Sequence, residues 1–185
     1  MQSHYFLAVP LPKLLKQKLN ETYRKKNEFP FKRWVHKDDL HLTLVFLGAC
    51  TQEQLEQIKM RLESLLFKWS SFSLELSTLG TFGPKERPRI FWIGIKNQPL
   101  LDSLRQEIFE QCEEIGFSLD KRGFSPHITL ARKWVGQTTY SNNFEKSIEE
   151  IQRWNVNEVI LYKSVMTEEP KYKVEMSFQL GRESI

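Results

Sequence analysis

The chain has 185 residues, 40% of them hydrophobic, which suits one compact domain or two small lobes with a real core and argues against disorder. Its 27 lysines and arginines outnumber its 23 aspartates and glutamates, giving a net charge of +4 and a pI near 9.0, which permits an anionic partner without demanding one. Cys50 and Cys112 stand in no metal-ligand spacing, and the longest apolar runs fall far short of the roughly 20 residues needed to cross a bilayer; a disulfide framework, a structural zinc site and a membrane span are not indicated.

The first run, HYFLAV (4 to 9), has the composition of a β-strand, and the start MQSHYFLAVPLPK lacks the charged region and cleavage site of a signal peptide. A soluble, cytoplasmic protein is expected. Pro12 suits the first turn of a helix with Leu15, Leu19 and Tyr23 on one face. HLTLVFLG (41 to 48) follows as a strand, then a helix that Thr51 and Gln54 would cap reciprocally, with Leu55, Ile58, Leu62, Leu65 and Leu66 as its apolar stripe. FSLEL (72 to 76) and RIFWIGI (89 to 95) are expected as strands on either side of a turn-prone loop, TLGTFGPKERP.

The second half opens with a long amphipathic helix carrying Leu101, Leu104, Ile108, Cys112 and Ile115, stopped by Gly116. HITLARKWV predicts a strand, Phe144, Ile148 and Ile151 a shorter helix, and NEVILYKSV and YKVEMSFQL a hairpin across MTEEPK. The last strand alternates strictly at Tyr172, Val174, Met176, Phe178 and Leu180. No composition break marks a linker, and residues near 85 to 100 are no more than a plausible boundary.

One pattern occurs twice. His41 and Thr43 share one face of their strand, with Leu42 and Leu44 on the other, and His127 and Thr129 repeat the arrangement. A single histidine on a strand is usually a half-buried structural residue. Two of four histidines followed by Thr at the second position, however, is roughly a 1 to 2% accident, so the repeat outweighs that reading. The two histidines are 86 residues apart, close to half the chain, which suggests two similar α+β lobes related by a pseudo-two-fold, with the motif strands meeting at a central cleft. Charge concentrates beside both. Nine lysines and arginines against two glutamates lie between Lys13 and Lys37, and Lys121, Arg122, Arg132 and Lys133 bracket the second motif. An anionic ligand near the histidines is the expectation.

Two imidazoles can serve as acid and base near neutral pH, and threonine hydroxyls can donate to anionic oxygens. Arg132, at the end of the second motif strand, could add a fixed positive charge. No GxSxG elbow, Walker loop or HExxH helix is present. This set suits in-line displacement at phosphorus, and a 2′,3′-cyclic phosphate is an apt substrate because its strained ring needs neither a strong nucleophile nor a metal. His4 and His36 lack the following threonine and are expected to be structural or exposed; Trp34, Phe82 and Trp92 are candidates to stack on a base, although core packing is the commoner use of such rings.

HLTLVFLG and PHITLAR, with RWVHKDDLHLTLVFLG, RPRIFWIG and FSPHITLAR around them, resemble the 2H phosphoesterases, specifically the bacterial RNA 2′,3′-cyclic phosphodiesterases, also called 2′-5′ RNA ligase-like proteins. The resemblance covers nearly the whole chain. It implies a single bilobal α+β domain over residues 1–185, no metal or cofactor, and hydrolysis of an RNA 2′,3′-cyclic end to a 2′-phosphomonoester. It also implies that His41 donates a proton to the departing 3′ oxygen and His127 accepts one from water; the residue chemistry above assigns Thr43, Thr129 and Arg132 to holding the phosphate. The expected partner is an RNA or oligonucleotide with a cyclic phosphate end, and the protein is expected to be a monomer. RNA end-joining by the same residues, a binding module without turnover, and a metal site on the two histidines are the alternatives.

Overall fold

The computed structural model describes residues 3–24, 29–140 and 152–181. The chain begins with β1 (His4–Pro10) and α1 (Lys13–Leu19), which continues into a wider π-helical turn, Asn20–Arg24. Leu15, Leu19 and Tyr23 point inward along this segment, as their spacing predicts. A short strand, β2 (Phe31–Trp34), and a 3₁₀ turn (Lys37–Asp39) lead into β3 (His41–Gly48), which carries the first motif. The helix α2 (Gln52–Leu66) starts at a reciprocal cap: the Gln54 amide donates to Thr51 Oγ1 at 3.1 Å, and the Thr51 amide donates to Gln54 Oε1 at 3.0 Å.

Next come β4 (Phe72–Phe82), β5 (Ile90–Ile95) and α3 (Pro99–Ile115), the last closed by Gly116 in the left-handed conformation, φ 99°. The strand β6 (His127–Trp134) carries the second motif, and β7 (Arg153–Val156), β8 (Glu158–Ser164) and β9 (Tyr172–Gln179) follow. The expected helix with Phe144, Ile148 and Ile151 lies outside the described residues.

Among the described residues the strands form one nine-stranded sheet in the order β7-β4-β5-β6-β3-β1-β8-β9, with β2 added alongside β6, and every pairing is antiparallel. The 86-residue offset of the motifs extends through the fold: it relates the starts of β1 and β5, α1 and α3, β3 and β6, and the opening of β4 to that of β8. The order β4-β5-β6 is therefore mirrored by β3-β1-β8 about an axis between β6 and β3. Each half of the chain contributes to the other half of the sheet, since β4 pairs with β5 and β8 pairs with β1. A cut within residues 85 to 100, the boundary the sequence suggested, would separate β4 from β5 if made before β5 and β5 from β6 if made after it.

One face of the sheet holds the main core. Leu42, Leu44, Ile128 and Leu130 point there from the motif strands and meet Ile58, Leu62 and Leu66 of α2 and Leu101, Leu104 and Ile108 of α3, all buried. Each such side chain contributes about 1.5–3 kcal/mol relative to an exposed one. The alternation that buries the leucines turns His41, Thr43, His127 and Thr129 to the opposite face. That face has a small apolar cluster of its own, made by Phe6, Ala8, Ile160 and Tyr162 with Tyr172 against it.

Three sequence expectations change here. The loop expected over residues 78–88 is shorter, because β4 runs on to Phe82 and keeps pairing with β5. Its Gly80 permits a close approach rather than a turn: a Cβ there would lie 2.3 Å from the Trp92 ring, which crosses the strand at that point. The strict alternation of β9 does not keep one face. A register shift between Leu161 and Tyr162 turns Met176 and Phe178 to the main core and leaves Tyr172 beside Phe6 and Tyr162 on the motif face. The strands β2 and β7 were not foreseen; at four residues each, neither carries a measurable period.

Candidate active site

The two motif strands touch at a single ladder position, Leu42 opposite Ile128, immediately after each histidine. Continuing that antiparallel register sets His41 opposite Thr129 and Thr43 opposite His127, so the four motif side chains form a crossed quartet on one face. Beyond Ile128 the strands splay, and β2 takes the place beside β6 at Ala131 and Arg132. On the other side of that position the strands also part, and the cleft opens there between Thr43, Val45 and Phe46 of β3 and Ser125 and His127.

Each histidine is held by the same local device. His41 Nδ1 lies 2.6 Å from the carbonyl oxygen of Asp39, and His127 Nδ1 lies 2.7 Å from that of Ser125, in both cases two residues upstream. A carbonyl only accepts, so Nδ1 carries the proton and the neutral ring presents Nε2 as its acceptor. In the first motif the Thr43 hydroxyl donates to His41 Nε2 at 3.0 Å. The 86-residue relation includes these supports, since Asp39 and Ser125 correspond.

The rings are also framed in parallel. Phe6 packs on His41 with 4.7 Å between centroids, and its counterpart Trp92 lies 6.0 Å from His127. Tyr172 meets His41 edge-on at 5.1 Å, and Phe82 does the same to His127 at 4.9 Å. This apolar framing sets the electrostatics. Burial pushes the His41 pKa down to about 4, with Lys16 and Arg132 adding to the effect and the Asp39 carbonyl and carboxylate opposing it. Burial also lowers the His127 pKa, the Ser125 carbonyl opposes, and Arg132 lowers it further. Both rings are neutral at neutral pH.

Arg132, singled out by the sequence, is exposed, and its charge acts on His41, His127 and Tyr172 alike. Phe82 and Trp92 adjoin His127, whereas Trp34 packs against Phe29, Phe31 and Phe91 away from the quartet. His36 caps the turn before β3 by accepting from the Asp38 amide, and His4 lies edge-on to Phe46. Among the described residues, no three His, Cys, Asp or Glu side chains converge as metal ligands.

Sequence reasoning missed Asp39 and Tyr172. The Asp39 carboxylate is buried at 4% exposure and accepts from the backbone amides of Lys171 and Tyr172, both at 3.0 Å. It thereby ties the β8–β9 hairpin to the residue whose carbonyl orients His41 and brings the Tyr172 ring onto that histidine. The only sequence signal was its position two residues before the motif. Lys16 was visible as part of the basic run; its ammonium donates to the Asp38 carbonyl at 2.8 Å, next to the same turn.

The family model for LigT-like phosphoesterases matches this chain twice, over residues 9–92 and 93–172, one match for each half of the pseudo-symmetric fold. An RNA 2′,3′-cyclic phosphodiesterase of Geobacillus stearothermophilus is 39% identical over 181 residues, covering 97% of this chain and 58% of that protein. Another of the same name, from Thermotoga maritima, is 32% identical, with 95% of this chain and 96% of that one covered. Among solved structures, E. coli LigT complexed with 3′-AMP superposes with a TM-score of 0.79 at 26% identity, covering 98% of this chain and all of the other.

Proposed function

This chain belongs to the LigT-like phosphoesterase family, and from that premise we propose that it is an RNA 2′,3′-cyclic phosphodiesterase that opens the cyclic end to a 2′-phosphomonoester without a metal. The observation that carries the reading is the crossed quartet: two histidines, each with Nδ1 bound to a backbone carbonyl and each opposite a threonine on the neighbouring strand, with the Thr43 hydroxyl at His41 Nε2. The names of its relatives point the same way.

In this mechanism the cyclic phosphate lies between the histidines. His127, neutral with Nε2 as acceptor, takes a proton from water as that water attacks phosphorus. His41, protonated on Nε2, gives its proton to the 3′ oxygen as the P–O3′ bond breaks, leaving the phosphate on the 2′ oxygen. Thr43 and Thr129 donate to the non-bridging oxygens, and Arg132 offsets their charge. The low pKa of His41 comes first from its burial. A bound phosphodiester brings a negative charge to the imidazole and raises its pKa, so the substrate itself helps to load the proton donor.

We further propose that the chain works as one bilobal unit and as a cytoplasmic monomer; the exchange of strands between the halves supports the first point. The test is an RNA ending in 2′,3′-cyclic phosphate, incubated with a strong chelator present. A 2′-monophosphate end, lost in His41→Ala and in His127→Ala, is the expected result. A 3′-monophosphate, or activity abolished by the chelator, would refute the reading.

A further inference from the structure

A cavity of about 730 Å³ runs from Thr43 and His127 to the middle of α3, lined there by Arg105 and Phe109 and by Phe124, with Arg89 and Arg122 also on its wall. Its size exceeds what a cyclic phosphate alone would fill. The unusual group in it is Arg105. The guanidinium lies 4.2 Å from the centre of the Phe109 ring and 5.3 Å from that of Phe124, so two aromatic faces hold it in place. Its Nε is buried and has no hydrogen-bond partner among the described residues.

The carboxylates whose charge reaches Arg105 are engaged elsewhere. Asp120 takes three hydrogen bonds from the Arg122 side chain, and Glu113 pairs with Lys121 at 3.3 Å. Burial lowers the Arg105 pKa, the mark of a cation short of compensation. A buried donor without a partner is destabilising, and an anionic oxygen is the acceptor that would recover most of the loss. Any nucleotide whose phosphate reaches the histidines carries its remaining atoms outward from there, and the cavity leads from His127 to this arginine.

We propose that this cavity is a subsite for the phosphodiester on the 5′ side of the terminal nucleotide, with Arg105 as its phosphate-binding residue. The inference rests on the cyclic-phosphate reading above and adds to it a second anchoring point: a phosphate on the 5′ side of the terminal nucleotide strengthens binding through Arg105.

Calorimetric titration at fixed ionic strength tests it with two non-reactive probes, adenosine 2′-monophosphate and adenosine 2′,5′-bisphosphate. The wild-type protein is expected to bind the bisphosphate at least about tenfold more tightly, the worth of one charge-assisted contact. Arg105→Met is expected to bring the ratio to within about twofold of one, while Lys59→Met, which removes the same charge from the exposed face of α2 outside the cavity, keeps it. Arg105→Lys retains stem and charge and covers the case in which the methionine variant does not fold; a severalfold smaller ratio than wild type is expected there. Equal affinities in the wild type, or an undiminished ratio in Arg105→Met, would overturn the subsite. The hydrolase reading fails separately, by absence of turnover on a cyclic-ended RNA, and the binding ratio stands or falls without it.

Discussion

Asp39→Asn is the substitution that most directly probes how the site is held. The native carboxylate gives one oxygen to the Lys171 amide and the other to the Tyr172 amide, both at 3.0 Å, in a position only 4% exposed. Asparagine keeps the shape but offers one acceptor, and turns an N–H group toward the second amide. One charge-assisted pair is weakened and one buried donor is left without a partner, for a total of about 2–4 kcal/mol. For a chain of this length each kcal/mol shifts Tm by about 2–4 °C, so a fall of about 5–15 °C is expected by thermal denaturation. Activity should fall as well, since the hairpin brings the Tyr172 ring to 5.1 Å from His41. A roughly tenfold loss in kcat/KM on a cyclic-ended RNA, measured well below the lowered Tm, is the expectation. Tyr172→Ala should give a similar loss, and the double variant should lose less than the product of the two, because both act through one contact. A Tm within 2 °C of wild type, or fully multiplicative losses, would refute the account of Asp39 as the tether of the hairpin.

Other expectations follow from the same geometry. His41→Ala should lower the rate by roughly 10²- to 10⁴-fold on RNA and be partly rescued by an aryl phosphodiester with a good leaving group, whereas His127→Ala should show no such rescue; identical leaving-group sensitivity would reverse the donor and acceptor roles. In an NMR titration of the free protein His41 should stay neutral until about pH 4, and inorganic phosphate should raise that value; no change with phosphate would contradict the substrate-loaded donor. Because the folded state resists protonation of both histidines while the unfolded chain accepts protons near pH 6.5, their contribution to stability is present above that value and lost as pH falls toward 4; urea midpoints that rose from pH 7 to pH 5 would oppose this sign. Gly80→Ala places a methyl 2.3 Å from the Trp92 ring, so the ring must leave its place beside His127; unchanged tryptophan fluorescence and kcat/KM would show that the close approach is not needed. Arg132→Ala should weaken RNA binding and reduce its dependence on salt, an effect absent if Arg132 is only a solvated charge.

The chemistry was legible in the chain because it rests on period-two patterning. In HLTL and HITL, alternation alone sends the leucines to one face and the histidine and threonine to the other, and the same count of 86 residues relates the motifs and the strands and helices around them. Helix ends were legible for a similar reason: Thr51 with Gln54, and Gly116, act on amides and carbonyls within a few residues of themselves. Tertiary structure decided whatever depends on contact between distant segments. Asp39 reads as one more acid in KDD until the amides of Lys171 and Tyr172, over 130 residues away, come to its carboxylate. Gly80 reads as a turn signal until the Trp92 ring lies across it. By alternation Tyr172 shares a face with Phe178, but a register shift in the hairpin sends the two to opposite sides of the sheet. Strand exchange between the halves belongs to the same class, because hydrogen bonding between β4 and β5 or between β8 and β1 uses backbone groups that every residue carries. Side-chain pattern records which way a residue faces, but the partner it meets there is set by how the sheet closes around the pseudo-two-fold.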